Sequence, residues 1–237
     1  MKWRLLKLDW SYAIGELIIV TAGVLLAFAI NAWWEDLGNN RSEQDILEGL
    51  HEEFNSTLDN VRNAKAGELN RSQAAQQVLA LIGPESSELN DEVVKNKIVA
   101  ILGSNEDFKP TESTLESLVN SQGLAIISNY DLRVRLSGWP KVKSSVEFYD
   151  QRIADLYQQR ILPFIGRKVP IRTLDAINDP NLEPSKFPFN HENLLTDLEF
   201  ESMVNDLYYY SYKEVEELTK AENEIIGILD ILQTEQE

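Results

Sequence analysis

Apolar residues recur at steps of three and four along most of the chain, the spacing that places them on one face of an α-helix. This pattern predicts helices over 42–82, 91–102, 111–121, 129–164 and 192–232. No segment of useful length alternates apolar and polar residues as a half-buried β-strand does. The pattern is different from Leu17 to Trp34, where eighteen consecutive residues carry no charge. The predicted fold class is therefore all-α, with one N-terminal transmembrane helix followed by an antiparallel helical bundle.

Residues that favour turns mark where the first of these helices begins and ends. Gly38–Asn40 predicts a juxtamembrane break over 35–41, because glycine and asparagine are common in turns. Ser42 with Asp45 then resembles the signal that starts a helix. At its other end, Gly83–Pro84 should terminate the helix.

Prolines divide the second half of the chain. Pro140 should kink or split the helix predicted over 129–164, because proline lacks the N–H that a helical hydrogen bond needs. Residues 166–190 contain four prolines and no clear period, so they are predicted to form a loop. The helical domain, including this loop, is expected to occupy 42–237.

The uncharged stretch has the features of a membrane-spanning helix. Crossing the ~30 Å hydrocarbon core takes roughly 20 helical residues, which 12–34 supplies. Aromatic residues, which favour the headgroup level, lie towards both ends: Trp3, Trp10, Tyr12, Trp33 and Trp34. Basic residues precede the stretch and acidic residues follow it, which predicts a cytoplasmic tail at 1–11 and an exported remainder. The predicted location is the bacterial inner membrane, with the main domain in the periplasm.

Two other interpretations of this stretch stay open. Ala27–Ala29 has the small-x-small form that a signal peptidase accepts, so the segment could be cleaved after Ala29. It could also be a buried helix of a soluble protein, although its length is unusual for one. The transmembrane interpretation is favoured because the apolar run continues to Trp34 and begins beside the acidic Glu16.

Four residues of the predicted span share one side of the helix. Glu16, Gly23, Ala27 and Asn31 follow one another at spacings of seven, four and four. Small residues let helix backbones approach closely in lipid, and an asparagine there can hydrogen-bond across helices. We therefore expect this stripe to face another membrane helix, either a second copy of the chain or another membrane protein. The alternative is a lipid-facing helix whose Glu16 extends to the membrane surface.

The same stretch, YAIGELIIVTAGVLLAFAINAWWE, resembles the opening signature of a family of single-pass bacterial membrane proteins with a domain of unknown function. The matching residues are Tyr12, Gly15, Glu16, Val20, Gly23, Leu25, Ala27, Ile30, Asn31, Trp33 and Glu35, whereas Ala29, Ala32 and Trp34 replace residues usual there. A weaker likeness covers Ser121, Leu124, Ile127, Leu132, Arg133 and Leu136. The resemblance implies an anchored helical protein and carries no activity, substrate or catalytic residue.

Charge limits the range of partners. The formal net charge is -17, and residues 1–34 are net positive by one, so the remainder is strongly acidic. An acidic surface repels nucleic acid, so no nucleic-acid partner is expected. The chain has no cysteine, which excludes thiolate catalysis, disulfides and cysteine-based zinc sites.

The same charges indicate which helices are neighbours. Residues 129–172 contain nine basic and four acidic side chains, whereas residues 191–237 contain two basic and thirteen acidic ones. Antiparallel packing of these segments would bring opposite charges together. Each exposed pair contributes only about 0.2–1 kcal/mol, so charge selects the neighbours and the apolar stripes supply the stability.

Candidate chemistry is sparse. Glu48 and His51 have the spacing of a di-iron ligand pair, but such a site needs the motif twice, and Pro188 stands three residues before His191. No metalloprotease, nucleophile-elbow or phosphate-loop motif is present in the sequence. We therefore expect no catalytic residue, metal or cofactor. The alternative is a cell-envelope enzyme, such as a hydrolase, whose site is not recognisable.

Aromatic residues are the remaining contact candidates. Tyrosine is favoured at binding surfaces, and four tyrosines within five residues surround a helix, so some must face outwards. The candidates are Tyr208, Tyr209, Tyr210, Tyr212, and in the proline-rich loop Phe187 and Phe189. Local packing is the alternative role for each of them. The sequence thus favours a membrane-anchored, non-enzymatic interaction, sensor-like or scaffold module, and it leaves any small-molecule ligand unknown.

Overall fold

The computed structural model describes residues 10–83, 89–103, 108–121 and 123–236, and all secondary structure in these ranges is helical. The all-α prediction is confirmed. The helices are α1 (Trp10–Leu79), α2 (Asp91–Leu102), α3 (Ser113–Asn120), α4 (Tyr130–Leu156), α5 (Leu162–Lys168), α6 (Ile171–Asn178), α7 (Glu192–Leu195) and α8 (Leu198–Gln236). A 3₁₀ turn at Gly123–Ile126 precedes α4, and a π-helical turn at Tyr157–Ile161 joins α4 to α5.

The first helix is much longer than the sequence predicted. Helix α1 runs for 70 residues without interruption, so the break over 35–41 and the helix start at Ser42 are wrong. Glycine costs a helix only about 1 kcal/mol relative to alanine and asparagine costs less, so Gly38–Asn40 does not outweigh the helix formers on both sides. The predicted end is nearly correct, since α1 stops four residues before Gly83.

The structure differs from the sequence prediction around two prolines, Pro140 and Pro170. Helix α4 passes through Pro140 as a single helix, because the buried Leu136, Trp139 and Val146 hold both sides of the proline in the core. The predicted loop 166–190 contains α6, which begins directly after Pro170. Proline at the start of a helix costs nothing, because its missing N–H would have no helical partner there.

The last predicted helix is divided in two. Helix α7 ends at Leu195 and α8 begins at Leu198. Between them, the Asp197 carboxylate accepts a hydrogen bond from the Glu199 backbone N–H at 2.8 Å, as an N-cap residue does. The prediction for α2, in contrast, matches the observed bounds.

Three long helices form the framework, with α8 packed against both α1 and α4. Ion pairs between the α4–α5 region and the α7–α8 region run in opposite order along the two segments. They are Arg135–Glu224 (2.9 Å), Arg160–Asp206 (2.7 Å) and Lys168–Asp197 (2.8 Å). The predicted antiparallel pairing of the basic and acidic segments is therefore confirmed.

The buried apolar side chains form two clusters along this framework. The proximal core joins 47–64 of α1, 115–118 of α3, 132–146 of α4 and 218–232 of α8, together with Phe108 and Ile127. The distal core joins the last turns of α1 to α2, α5, α6, α7, the ends of the α4 region and the first turns of α8. In the proximal core Phe54 meets Trp139 edge to face, with ring centroids 5.6 Å apart.

Helix α3 is held by a carboxylate from another helix. The buried Glu53 of α1 accepts hydrogen bonds from the backbone N–H groups of Thr114 (2.7 Å) and Leu115 (3.1 Å) and from the Ser113 hydroxyl (3.2 Å). These groups begin α3, where backbone N–H groups have no helical partner and a negative charge is favoured. Helix α1 therefore supplies the cap that the sequence of α3 lacks.

Two helical glycines provide a test of the packing between α4 and α8. A Cβ at Gly138 would meet nothing within 4 Å, whereas a Cβ at Gly227 would lie 2.8 Å from Nη1 of Arg135. Gly138→Ala should therefore raise the free energy of unfolding by about 1 kcal/mol, the helix-propensity difference. Gly227→Ala should raise it less or lower it, because Arg135 must leave its position beside Glu224. Chemical denaturation of both variants measures these free energies of unfolding. Equal increases for the two variants would contradict the close packing of Arg135 against Gly227.

Candidate interaction surfaces

The N-terminal part of α1 is an apolar surface that the described chain does not cover. The side chains at 17 and 20–31 are all exposed, and the first buried one among the described side chains of α1 is Leu47. Of the predicted stripe, Gly23, Ala27 and Asn31 are among these exposed residues, and the side chain of Glu16 lies outside the described residues. The sequence places six large apolar side chains within 20–30, and all six are exposed.

Within the described residues, no helix combines the length and the apolar character needed to cross a membrane. The predicted span 12–34 is described side chain by side chain only at 17 and 20–31, and the tail 1–9 lies outside the described residues.

The four tyrosines of α8 divide into two pairs. Tyr208 and Tyr210 are partly buried against the distal core, whereas Tyr209 and Tyr212 are exposed. Each exposed ring contacts a partly buried one: Tyr212 stacks on Tyr208 with centroids 6.4 Å apart, and Tyr209 meets Tyr210 edge to face at 5.7 Å. Tyr208 and Tyr210 therefore hold the two exposed rings in place, and Tyr209 and Tyr212 form an aromatic surface on the outside of α8.

The two phenylalanines of the proline-rich loop have different roles. Phe189 is 9% exposed and belongs to the distal core, with the Lys95 ammonium 5.3 Å from its ring centroid. Phe187 is 78% exposed. Local packing thus accounts for Phe189, and Phe187 is the loop residue that is accessible to a partner.

The histidines lie in different surroundings. His51 is near the surface of α1, beside Asn55 one helical turn away. His191 is buried, and its Nδ1 lies 2.5 Å from Oδ1 of Asp91, the first residue of α2. This contact fastens the end of the proline-rich loop to α2. Over the ranges that the structure describes, no three His, Cys, Asp or Glu side chains come together in a way that could hold a metal ion.

A groove of about 400 Å³ lies between α3 and α4. Glu112 forms part of its wall, accepting a hydrogen bond from Nε1 of Trp139 at 2.6 Å and pairing with the Lys143 ammonium. Burial is the largest single influence on the pKa of Lys143 and acts to lower it. Together with other nearby carboxylates, the hydrogen bond and the negative charge of Glu112 outweigh burial, so the pKa of Lys143 is raised. Lys143 is therefore a cation fixed in place by carboxylates, with the groove apolar at Leu115 and Val119.

The sequence did not indicate this groove or the buried position of His191. Glu112 and Lys143 are 31 residues apart, and His191 and Asp91 are 100 residues apart, so their proximity arises only from the packing of the helices. The exposed tyrosines, in contrast, were predictable from their density along one helix.

Comparison with known proteins finds no matching family model, no similar curated protein and no similar solved structure. The resemblance of residues 12–35 to a membrane-protein family stays a prediction.

The contact between His191 and Asp91 predicts a pH dependence of stability. The hydrogen bond from His191 is the largest cause that lowers the pKa of Asp91 below its usual 3.8, against the opposing effect of desolvation. A carboxyl group whose pKa is lower in the folded state stabilises the fold above its unfolded pKa, and this contribution is lost as the pH falls through the folded value. Asp91→Asn should therefore lower Tm at pH 6 and have a smaller effect at pH 3.

Glu92→Gln is the matched control for this change. Glu92 is the next residue of α2, is exposed and pairs only locally with Lys95. Its substitution should leave Tm nearly unchanged at both pH values. Thermal unfolding followed by circular dichroism makes the comparison, and equal shifts for Asp91→Asn and Glu92→Gln would show that the His191 contact contributes no stability.

Proposed function

We propose that this protein is a non-enzymatic, membrane-anchored module that assembles through helix–helix contacts. The segment 12–34 of α1 spans the inner membrane with the tail 1–11 in the cytoplasm, and the helical bundle lies on the periplasmic side. The bundle binds a protein or an envelope component there, as a sensor-like or scaffold element. The observation that carries this proposal is the uncovered apolar N-terminal part of α1.

The hydrophobic effect supports the anchor. An exposed apolar patch of this extent is rare on a monomeric soluble protein and marks a surface that another phase or chain covers. Lipid would cover every side of the helix at once. Beyond the first turn of α1, the backbone groups are satisfied within the helix, as the bilayer requires. The large negative charge of the rest of the chain is consistent with a domain that stays in water.

The exposed aromatic residues support a binding role for the bundle. Tyr209 and Tyr212 present large side chains with few degrees of freedom, so ordering them at an interface costs little entropy. Together with Phe187 they provide aromatic surfaces on α8 and on the proline-rich loop. These are the residues that we propose to contact the partner.

The anchor is tested by placing charges in the apolar stretch. Val20→Arg with Val24→Arg should release the protein from membranes into the alkaline carbonate supernatant, because each arginine near the bilayer centre costs about 2.5–3.5 kcal/mol. The control is Tyr130→Arg with Val134→Arg, which has the same spacing on α4; Val134 is 52% exposed and Val24 is 49% exposed. The control should stay with the membranes. If the protein without substitutions is itself found in the alkaline carbonate supernatant, the segment 12–34 is not a membrane anchor.

Assembly through the stripe is tested by cysteine cross-linking, which the absence of native cysteine makes specific. Ala27→Cys lies in the stripe, and Ala29→Cys lies two residues further on, about 200° around the helix. If two copies pair through the stripe, oxidation of native membranes should give a disulfide dimer for Ala27→Cys and little dimer for Ala29→Cys. Mild detergent should then extract a dimer or a larger complex. Equal cross-linking of both variants, or a lone monomer, would contradict pairing of copies through this stripe.

A further inference from the structure

The two apolar cores are separated by a layer of buried polar side chains. We call this layer the polar seam. Its members on α1 are Glu68, Arg71 and Ser72, and its members on α8 are Ser211 and Glu214. All except Arg71 are buried, and the Arg71 side chain is 11% exposed. The last proximal residue of α1 is Ala64 and the first distal one is Ala75, so the seam fills the whole interval between the cores.

The seam satisfies its polar groups incompletely. Arg71 forms an ion pair with Glu68. Among the described residues, however, Nε of Arg71 and the hydroxyl of Ser211 have no hydrogen-bond partner. Leaving a buried polar group unpaired costs free energy, and a buried ion pair is commonly no more stable than an apolar contact of the same volume. The seam is therefore a weaker layer than the cores above and below it.

The third long helix also lacks buried side chains between the two cores: α4 has none from 147 to 152, between Val146 of the proximal core and Ile153 of the distal core. The π-helical turn that ends the α4 region begins at Tyr157, and the Arg71 guanidinium lies over the Tyr157 ring, 5.4 Å from its centroid. The Tyr157 hydroxyl donates to the backbone carbonyl of Ile101 in the last turn of α2, and burial raises the pKa of Tyr157 to about 12. A π-helical turn departs from regular α-helical geometry and is frequent at functional positions.

Ion pairs between the long helices lie on either side of the seam. Arg160 within the π-helical turn binds Asp206 of α8 at 2.7 Å, on the distal side of Ser211. Arg62 and Lys65 of α1 bind Glu222 of α8, on the proximal side of Glu214. All three long helices thus have a stretch without buried apolar side chains between the two cores: 65–74 of α1, 147–152 of α4 and 208–217 of α8.

We propose that the polar seam is a hinge at which the distal lobe moves as a unit relative to the proximal bundle. The distal lobe consists of the elements that form the distal core. Among the described residues, α1 contributes two fully buried side chains to the distal core, Ala75 and Val78. Few buried apolar contacts therefore join α1 to the distal lobe. If the distal lobe moves at the seam, the polar groups exposed there can form hydrogen bonds with water. If it moves at the level of either core, apolar side chains become exposed to water, which is unfavourable. The hinge does not depend on whether 12–34 spans a membrane.

Hydrogen exchange of the full-length protein in detergent micelles tests the hinge. Amides of the distal core in α2 and α5 should exchange together, at least tenfold faster than amides of the proximal core in 54–61 and 225–228. A variant with an apolar seam, Glu68→Met with Arg71→Met and Glu214→Met, should slow distal exchange roughly tenfold or more. The proximal amides should change much less.

The matched control replaces three charged residues of the same two helices outside the seam. Arg62→Met with Lys65→Met and Glu222→Met should leave the ratio of distal to proximal exchange unchanged. A single change, Ser211→Ala, removes the unpaired hydroxyl at little risk to folding and should slow distal exchange a few-fold.

Three results would overturn the hinge. One is exchange of both cores at a single rate in the unaltered protein. The second is a seam variant that slows both cores equally, which would mean that the seam only fixes the register of α1 on α8. The third is faster distal exchange in Ser211→Ala, because it would show that the hydroxyl stabilises the closed arrangement.

Discussion

Burial of the apolar side of α8 against α1 and α4 is the interaction on which the remaining structure depends. Residues such as Leu207, Leu218, Ile225 and Ile228 are fully buried there, and each such side chain contributes about 1.5–3 kcal/mol relative to an exposed one. Helices as short as α2, α3, α5, α6 and α7 are marginal in water on their own. They form because the three long helices provide surfaces against which they pack. Glu53 is an example of this dependence, because a side chain of the long helix α1 caps the start of the short helix α3.

The parts of the fold that the sequence predicted correctly are those set by regular spacing or by total charge. The 3–4 spacing predicted α2 and the helical character of 42–79, 130–156 and 198–232, and the opposite charges of 129–172 and 191–237 identified α4 and α8 as neighbours. The incorrect parts depended on single residues. Gly38–Asn40 and Pro140 predict interruptions locally, but a glycine costs only about 1 kcal/mol and a proline about 3 kcal/mol. At Pro140 the packing of α4 in the core outweighs a cost of this size, and at Gly38–Asn40 the helix formers on both sides outweigh it.

The polar features of the interior were not predictable for a different reason. Glu53, Glu68 and Glu214 stand in a chain with 39 acidic residues, and acidic side chains are mostly exposed in folded proteins. The register between α1 and α8 decides that Glu68 and Glu214 are buried, and the packing of α3 on α1 decides it for Glu53. Both are tertiary properties. The same holds for His191, whose partner lies 100 residues away. The exposed aromatic residues were easier to identify, because their number in a short segment exceeds what one buried face can hold.

The continuity of α1 fixes a rotational relation between its two ends. An α-helix turns about 100° per residue, so the phase of the N-terminal stripe relative to the buried face follows from the sequence positions. Ala27 and Phe54 are 27 residues apart and therefore point in roughly opposite directions. A chain that packed against Gly23, Ala27 and Asn31 would approach along the outward side of α1, away from α4 and α8. Two copies joined in this way would stand back to back, with the tyrosines of α8 left accessible on the outer sides of the pair.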